Sequence, residues 1–146
     1  MTCPFCAIIA GSSPASIVHA DDMTVAFLDA RPLFHGHVLL VPREHIETLP
    51  DLPGEAVGPF FRRAQALCVA VTEAMDAEGT FVATNNVVSQ SVPHLHVHVV
   101  PRRRKDGLRG FFWPRTTYAD TAERDAVAAR IARALRTAKP SQSLLK

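Results

Sequence analysis

The chain has 146 residues, a length that suits one domain able to bury a core without disulfide staples. Lys and Arg number 16 against 14 Asp and Glu, so no global basic field is present to attract nucleic acid or anionic lipid, and any bound anion needs a local site. No apolar run reaches the length of a membrane span and the first six residues lack the pattern of a secretory signal, so the expectation is a soluble, cytoplasmic protein with no membrane partner.

Cys3 and Cys6 form a CxxC at the start of the chain, and Cys68 stands alone. An odd cysteine count in a cytoplasmic protein argues against a disulfide framework, and a CxxC without a following βαβ pattern carries little weight for thioredoxin-like chemistry. Half of a zinc site is the better reading, given two further ligands. Ser16–Ala20 and Thr24–Leu28 read as a hairpin turning at Asp21-Asp22, and His37–Val41 as a third strand stopped by Pro42. From Glu55 to about Ala77, Val57, Phe60, Phe61, Ala64, Leu67, Cys68, Val71 and Met75 recur at three-and-four spacing, which predicts a helix with one buried face, ended by Gly79. Thr80–Thr84 is a fourth strand. A polar loop, Asn85–Ser91, leads into a fifth, His94–Val100, closed by Pro101. Leu108–Pro114, with the lone Trp113, is too short to classify. Asp120 with Glu123 forms a capping-box signature for a second helix, whose face carries Val127, Ile131 and Leu135. The order predicts an α+β fold with about five mainly antiparallel strands and two principal helices, residues 1–138 forming one domain and 139–146 a flexible tail.

Side chains alternate along a strand, so His94, His96 and His98 share one face while Leu95, Val97 and Val99 share the other. The expectation is a sheet buried behind and reactive in front. Three imidazoles side by side can chelate a metal, or one can act as a nucleophile toward phosphorus while the others orient it and bind phosphate. The preceding loop supplies amides and hydroxyls that donate to phosphate oxygens without adding charge, which favours the second option.

The run His94-Leu95-His96-Val97-His98-Val99-Val100 resembles the signature of the histidine triad (HIT) family at every position. The resemblance extends over roughly residues 3–105, through Ile8-Ile9, Phe27-Leu28-Asp29, Gly36–Pro42, Pro42-Arg43-Glu44-His45 and Gln90-Ser91-Val92. It implies the HIT fold and a nucleotide hydrolase or transferase acting at the α-phosphate of a purine nucleotide derivative, a dinucleoside polyphosphate or nucleoside phosphoramidate. His96 is then the expected nucleophile, its neutral imidazole being accessible near neutrality. By the same resemblance His94, His98 and His37 support it, and Gln90, Ser91, His98 and Asn85 or Asn86 bind phosphate. Asp29 takes the ribose hydroxyls, and Phe5, Ile8, Ile9 and Phe27 enclose the base. Zinc-containing relatives imply a structural Cys₂His₂ set of Cys3, Cys6, His45 and His94. A homodimer is also implied, and no organic cofactor.

One departure from the family pattern concerns the loop before the triad. Relatives carry glycines there, and this chain has Val87 and Ser89. A catalytically weak nucleotide-binding or sensor module is therefore the alternative to an enzyme. Metal-dependent hydrolysis by the triad histidines is a third option. The basic run Arg102-Arg103-Arg104-Lys105 reads as a solvated loop or as an attractor for polyphosphate, and nucleic-acid binding has no recognition motif behind it.

Overall fold

The computed structural model describes residues 2–108 and 115–137, so Trp113 and the tail from residue 139 lie outside the described residues. Two compact units divide at Asp106 and Gly107, and each is described by itself. The first carries five strands: β1 (Ile17–Ala20), β2 (Thr24–Leu28), β3 (Val38–Pro42), β4 (Gly79–Ala83) and β5 (Val97–Arg102). They form one sheet in the order β1-β2-β3-β5-β4, with every neighbouring pair antiparallel.

The sheet is covered on both faces. Helix α2 (Gly54–Ala74) lays Phe60, Ala64, Leu67 and Val71 against Ala26, Val38, Leu40, Leu95, Val97 and Val99. On the opposite face Val25, Phe27, Leu39 and Val41 pack with Phe5, Ile8 and Ile9 of a short helix, α1 (Pro4–Ile9). Strand β3 is buried at all five positions, as its unbroken apolar run requires. Helix α1 is absent from the sequence expectation because six residues are too few to display a helical period. It forms because Cys3 caps it, its Sγ accepting from the Cys6 N–H at 3.5 Å, and because Pro4 stands at the first helical position.

Several boundaries differ from the expectation, each for a local reason. Helix α2 ends at Ala74, ahead of Gly79, in a Schellman turn: Asp76 adopts φ +49, and the Ala77 and Asp76 N–H groups donate to the Thr72 and Glu73 carbonyls at 2.9 and 3.2 Å. Pro42 and Pro101 lie inside their strands. Pro101 sits past the last residue that β5 pairs with β3, an edge position where a missing N–H is tolerated. Strand β5 begins at Val97, and the segment before it is held through the Leu95 N–H, which donates to the Ile46 carbonyl at 2.7 Å.

The hairpin is anchored by Asp21. Its carboxylate accepts from the Met23 and Thr24 N–H groups at 2.9 and 2.7 Å and from Arg63 of α2 at 2.8 Å. Burial alone raises the Asp21 pKa, but the bonds from Thr24 and Met23, with His19, outweigh it and hold the carboxyl well below the usual range. In the second unit helix α3 (Thr121–Thr137) is capped by Asp120, which accepts from the Glu123 N–H at 2.8 Å. The reciprocal bond from Glu123 reaches the Ala119 N–H, one residue upstream of the cap. Ile131 and Leu135 on this helix are exposed.

Candidate active site

The histidine-bearing segment passes under α1. Leu95, Val97 and Val99 enter the core against α2, while the rings of His94 and His96 meet Phe5 at centroid distances of 5.9 and 5.1 Å on the other side. His94 and His96 are buried, at 0% and 3% exposure, so the face expected to be open is roofed by α1. The roof makes one side of a cavity of about 660 Å³, into which His96 and His98 look.

Backbone partners assign the protons on these rings. His96 Nδ1 lies 2.7 Å from the His94 carbonyl, and a carbonyl only accepts, so Nδ1 carries a hydrogen and the neutral ring has its lone pair on Nε2. The Leu33 N–H donates to His37 Nδ1 at 3.1 Å, which places the His37 hydrogen on Nε2, where it donates to His98 Nδ1 at 2.9 Å. His98 then carries its own hydrogen on Nε2. Burial, with His96 and His37 beside it, pushes the His98 pKa down to about 4, so this ring stays neutral at physiological pH. Burial likewise lowers His37, against the opposing pull of Asp29, whose carboxylate stands 3.8 Å from His37 Nε2. Although Asp29, His37 and His98 bring donor atoms within 4.8 Å of one another, the Leu33 amide makes His37 Nε2 a hydrogen donor, and the group reads as a proton-ordered chain.

His94 faces elsewhere. Its Nε2–H donates to the Pro42 carbonyl at 2.8 Å, leaving the Nδ1 lone pair 3.4 Å from Cys3 Sγ and 3.6 Å from Cys6 Sγ. His45 Nδ1 stands 3.3 Å from Cys6 Sγ. A tetrahedral zinc with ordinary Zn–S and Zn–N bonds requires sulfur-to-nitrogen edges of about 3.5 Å. These four side chains therefore fit such an ion, with the second nitrogen of His94 fixed by a carbonyl as metal-bound imidazoles require.

Of the residues expected to bind nucleotide, Phe5, Ile8, Phe27, Asp29, Ser91, His96 and His98 line the cavity. Ile9 packs behind it with Phe27 and Leu39. Gln90, Asn85 and Asn86 are outside the lining, because their side chains hold the loop. Gln90 accepts from the Val87 N–H at 2.9 Å and donates to the Glu47 carbonyl at 2.6 Å. Asn86 accepts from the Leu49 N–H at 2.9 Å, and Asn85 donates to the Ser89 carbonyl at 3.3 Å. Val87 and Ser89 both take positive φ, +68 and +62, so the conformation that glycine favours is present here on a β-branched and a hydroxyl residue.

Cavity residues not anticipated include Leu39, Val92, Pro14, Ala15 and Ser16. Leu39 was detectable in principle, since it stands opposite Phe27 in the β2–β3 register. Three of the four cations of the basic run are paired: Arg102 with Asp106, Arg103 with Asp76 and Arg104 with Glu78.

The HIT domain model matches residues 10–105. The chain belongs to the histidine triad family. This histidine triad protein is 34% identical over 108 residues to the adenylylsulfatase HINT3 of Arabidopsis thaliana, covering 73% of this chain and 55% of that enzyme, so it spans about half the length of that relative. It is 32% identical to the adenosine 5'-monophosphoramidase hnt1 of Schizosaccharomyces pombe, covering 78% of this chain and 84% of that one. Among solved structures, a Zn-bound histidine triad family protein from Mycobacterium smegmatis superposes with a TM-score of 0.70 at 34% identity, covering 92% of this chain and 98% of that chain. No helix among the described residues is long and apolar enough to cross a membrane.

Proposed function

We propose that this protein is a nucleotide hydrolase or transferase that cleaves at the α-phosphate of a purine nucleotide derivative through a covalent nucleotidyl-histidine on His96. The observation that carries this reading is the 2.7 Å bond from His96 Nδ1–H to the His94 carbonyl, which in the neutral ring leaves the lone pair on Nε2, beside the cavity. In the first step Nε2 bonds to phosphorus, the bond to the leaving group breaks, and that group departs with a proton supplied by water. The ring then carries positive charge, which the His94 carbonyl stabilises through Nδ1–H. In the second step a water oxygen bonds to phosphorus, the N–P bond breaks, and the water's proton passes to solvent. His98 Nε2–H would donate to a non-bridging oxygen, held in that tautomer by His37 and the Leu33 amide.

Asp29 at the cavity edge suits the ribose hydroxyls, and Phe5, Ile8 and Phe27 suit a base. The names of the relatives support adenylyl sulfate and adenosine phosphoramidate as first substrates to try. Cys3, Cys6, His45 and His94 would hold zinc as a closed structural site, and the ion would supply rigidity to α1 and to the triad segment. A homodimer belongs to this reading too, supported by the family resemblance and by Val82, exposed on edge strand β4. Incubation with each substrate, an alkaline denaturing quench and mass spectrometry should reveal adenylylated protein and released AMP, and His96→Ala should produce neither. A second reading, a nucleotide-binding or sensor module with little turnover, is supported by Gln90, whose side chain is engaged by Val87 and Glu47. AMP binding without AMP release across the panel would favour it.

A further inference from the structure

Phe5 belongs to two sites at once. It lies between Cys3 and Cys6 in sequence, and its ring, only 8% exposed, lines the cavity and meets His96 edge-on at 5.1 Å and Phe27 at 5.3 Å. Helix α1 is only six residues long, below the length that holds itself together in water, so its position depends on what grips its ends and its inner face. Both cysteines of the ligand set provide that grip: Cys3 caps the helix and Cys6 is in its first turn. A second link runs through His94. Its ring nitrogen faces the two sulfurs while its carbonyl accepts the His96 hydrogen. One wall of the cavity and the orientation of the attacking ring are thus both attached to the ligand set.

We infer that metal occupancy of Cys3, Cys6, His45 and His94 and nucleotide occupancy of the cavity are coupled, with Phe5 as the coupling residue. Zinc binding seats α1 and presses Phe5 against His96, which completes the apolar wall for the base. Nucleotide binding loads the same wall from inside and thereby strengthens the hold on zinc. The inference rests on the zinc and nucleotide readings proposed above. Coupling is reciprocal, so the factor by which zinc tightens nucleotide binding must equal the factor by which nucleotide tightens zinc binding, and about tenfold lies within the usual range.

The test uses the full chain and AMP as the probe. The AMP dissociation constant is measured by calorimetry on zinc-loaded protein and on protein stripped by a chelator, with circular dichroism recording that the stripped protein is folded. The zinc dissociation constant is measured against a chromophoric chelator with and without saturating AMP, an arm that starts from loaded, folded protein and, compared between wild type and Phe5→Leu, decides the matter if stripping unfolds the chain. About a tenfold change, equal in both directions, is expected. Phe5→Leu should retain one zinc per chain, bind AMP more weakly and reduce the coupling factor toward one. Leu39→Val, which alters the cavity from β3, should weaken AMP binding and leave the factor intact. A factor of one in wild type, or undiminished coupling in Phe5→Leu, overturns the inference while leaving both sites standing. A chain that takes up no zinc overturns the metal reading, one that binds zinc but no AMP overturns the nucleotide reading, and either result removes the coupling with it.

Discussion

Two groups of side chains in this protein look alike by composition and behave differently. Cys3, Cys6, His45 and His94 form one, and Asp29, His37 and His98 the other; in each, donor atoms gather within 4.8 Å. What separates them is a single backbone group on each side. The Pro42 carbonyl occupies the Nε2–H of His94 and so turns a lone pair toward two sulfurs, whereas the Leu33 amide occupies the lone pair of His37 Nδ1 and so turns a hydrogen toward His98. The same imidazole offers a lone pair or a hydrogen according to which end of a peptide group it meets, and a cluster's composition alone does not say which.

The largest effect that this contrast predicts falls on the ring between the two groups. His96→Ala should lower AMP release from an adenylylated substrate by about 10⁴-fold or more, as loss of a covalent nucleophile does, while AMP binding persists in calorimetry. Turnover within tenfold of wild type would remove His96 from the mechanism. Next, His37→Phe should break the proton-ordered chain without touching the sulfur side. A fall in kcat of about 10²-fold with zinc content nearly unchanged is expected, the scale of a lost hydrogen bond to the charge that develops on the phosphate oxygens. An equal loss of zinc would mean that the two groups are not separate.

Cobalt sharpens the comparison from the other direction. One Co²⁺ per chain with the intense sulfur-to-metal absorption of a tetrahedral thiolate site is expected, abolished by Cys6→Ser together with several kcal/mol of stability. A second, nitrogen-only cobalt site that disappears in Asp29→Asn would contradict the assignment of Asp29, His37 and His98 as a hydrogen-bonded chain. The pH response separates them as well. Because His98 is pushed down to about 4 from an ordinary 6.5, the unfolded chain binds its proton first on acidification, so the contribution of this ring to stability is intact above pH 6.5 and is lost as pH falls from there to about 4. A ring titration followed by NMR should place the His98 midpoint near the lower value; a midpoint near 6.5 would show that the ring is not buried against His37 and His96. The smallest effect lies in the loop. Val87→Gly relieves about 1 to 2 kcal/mol of left-handed strain on a β-branched residue at φ +68 against a smaller glycine entropy cost of about 0.5 to 1 kcal/mol, and a gain in stability of about 0.5 to 1 kcal/mol is expected, read by urea titration.

Much of the architecture was legible in the residues. Short apolar, β-branched runs marked β2 and β3, alternation marked the buried side of β5, and the three-and-four spacing from Phe60 to Val71 marked α2 and its inward face. Strand ends were less legible, because Pro42 and Pro101 read as stops and a proline is acceptable wherever its missing N–H faces no partner. The helical end at Ala74 was hidden by Asp76, which does the work usually signalled by glycine. In the site, the CxxC and the HxHxH spacing pointed to the residues that gather, and Gln90 and Asn86 were legible as polar loop residues without any sign that they bond to Glu47 and Leu49.

By itself the sequence determined which side chains are available and which faces of the strands they occupy, since alternation along an extended chain follows from its covalent geometry. Tertiary structure alone decided what each histidine does, which side of the sheet α1 roofs, and where the left-handed residues fall. The physical reason is that every residue but proline carries the same N–H and C=O, so no residue type announces that Leu33 will donate to His37 or Pro42 accept from His94. Those pairings exist only once segments distant in the chain lie side by side.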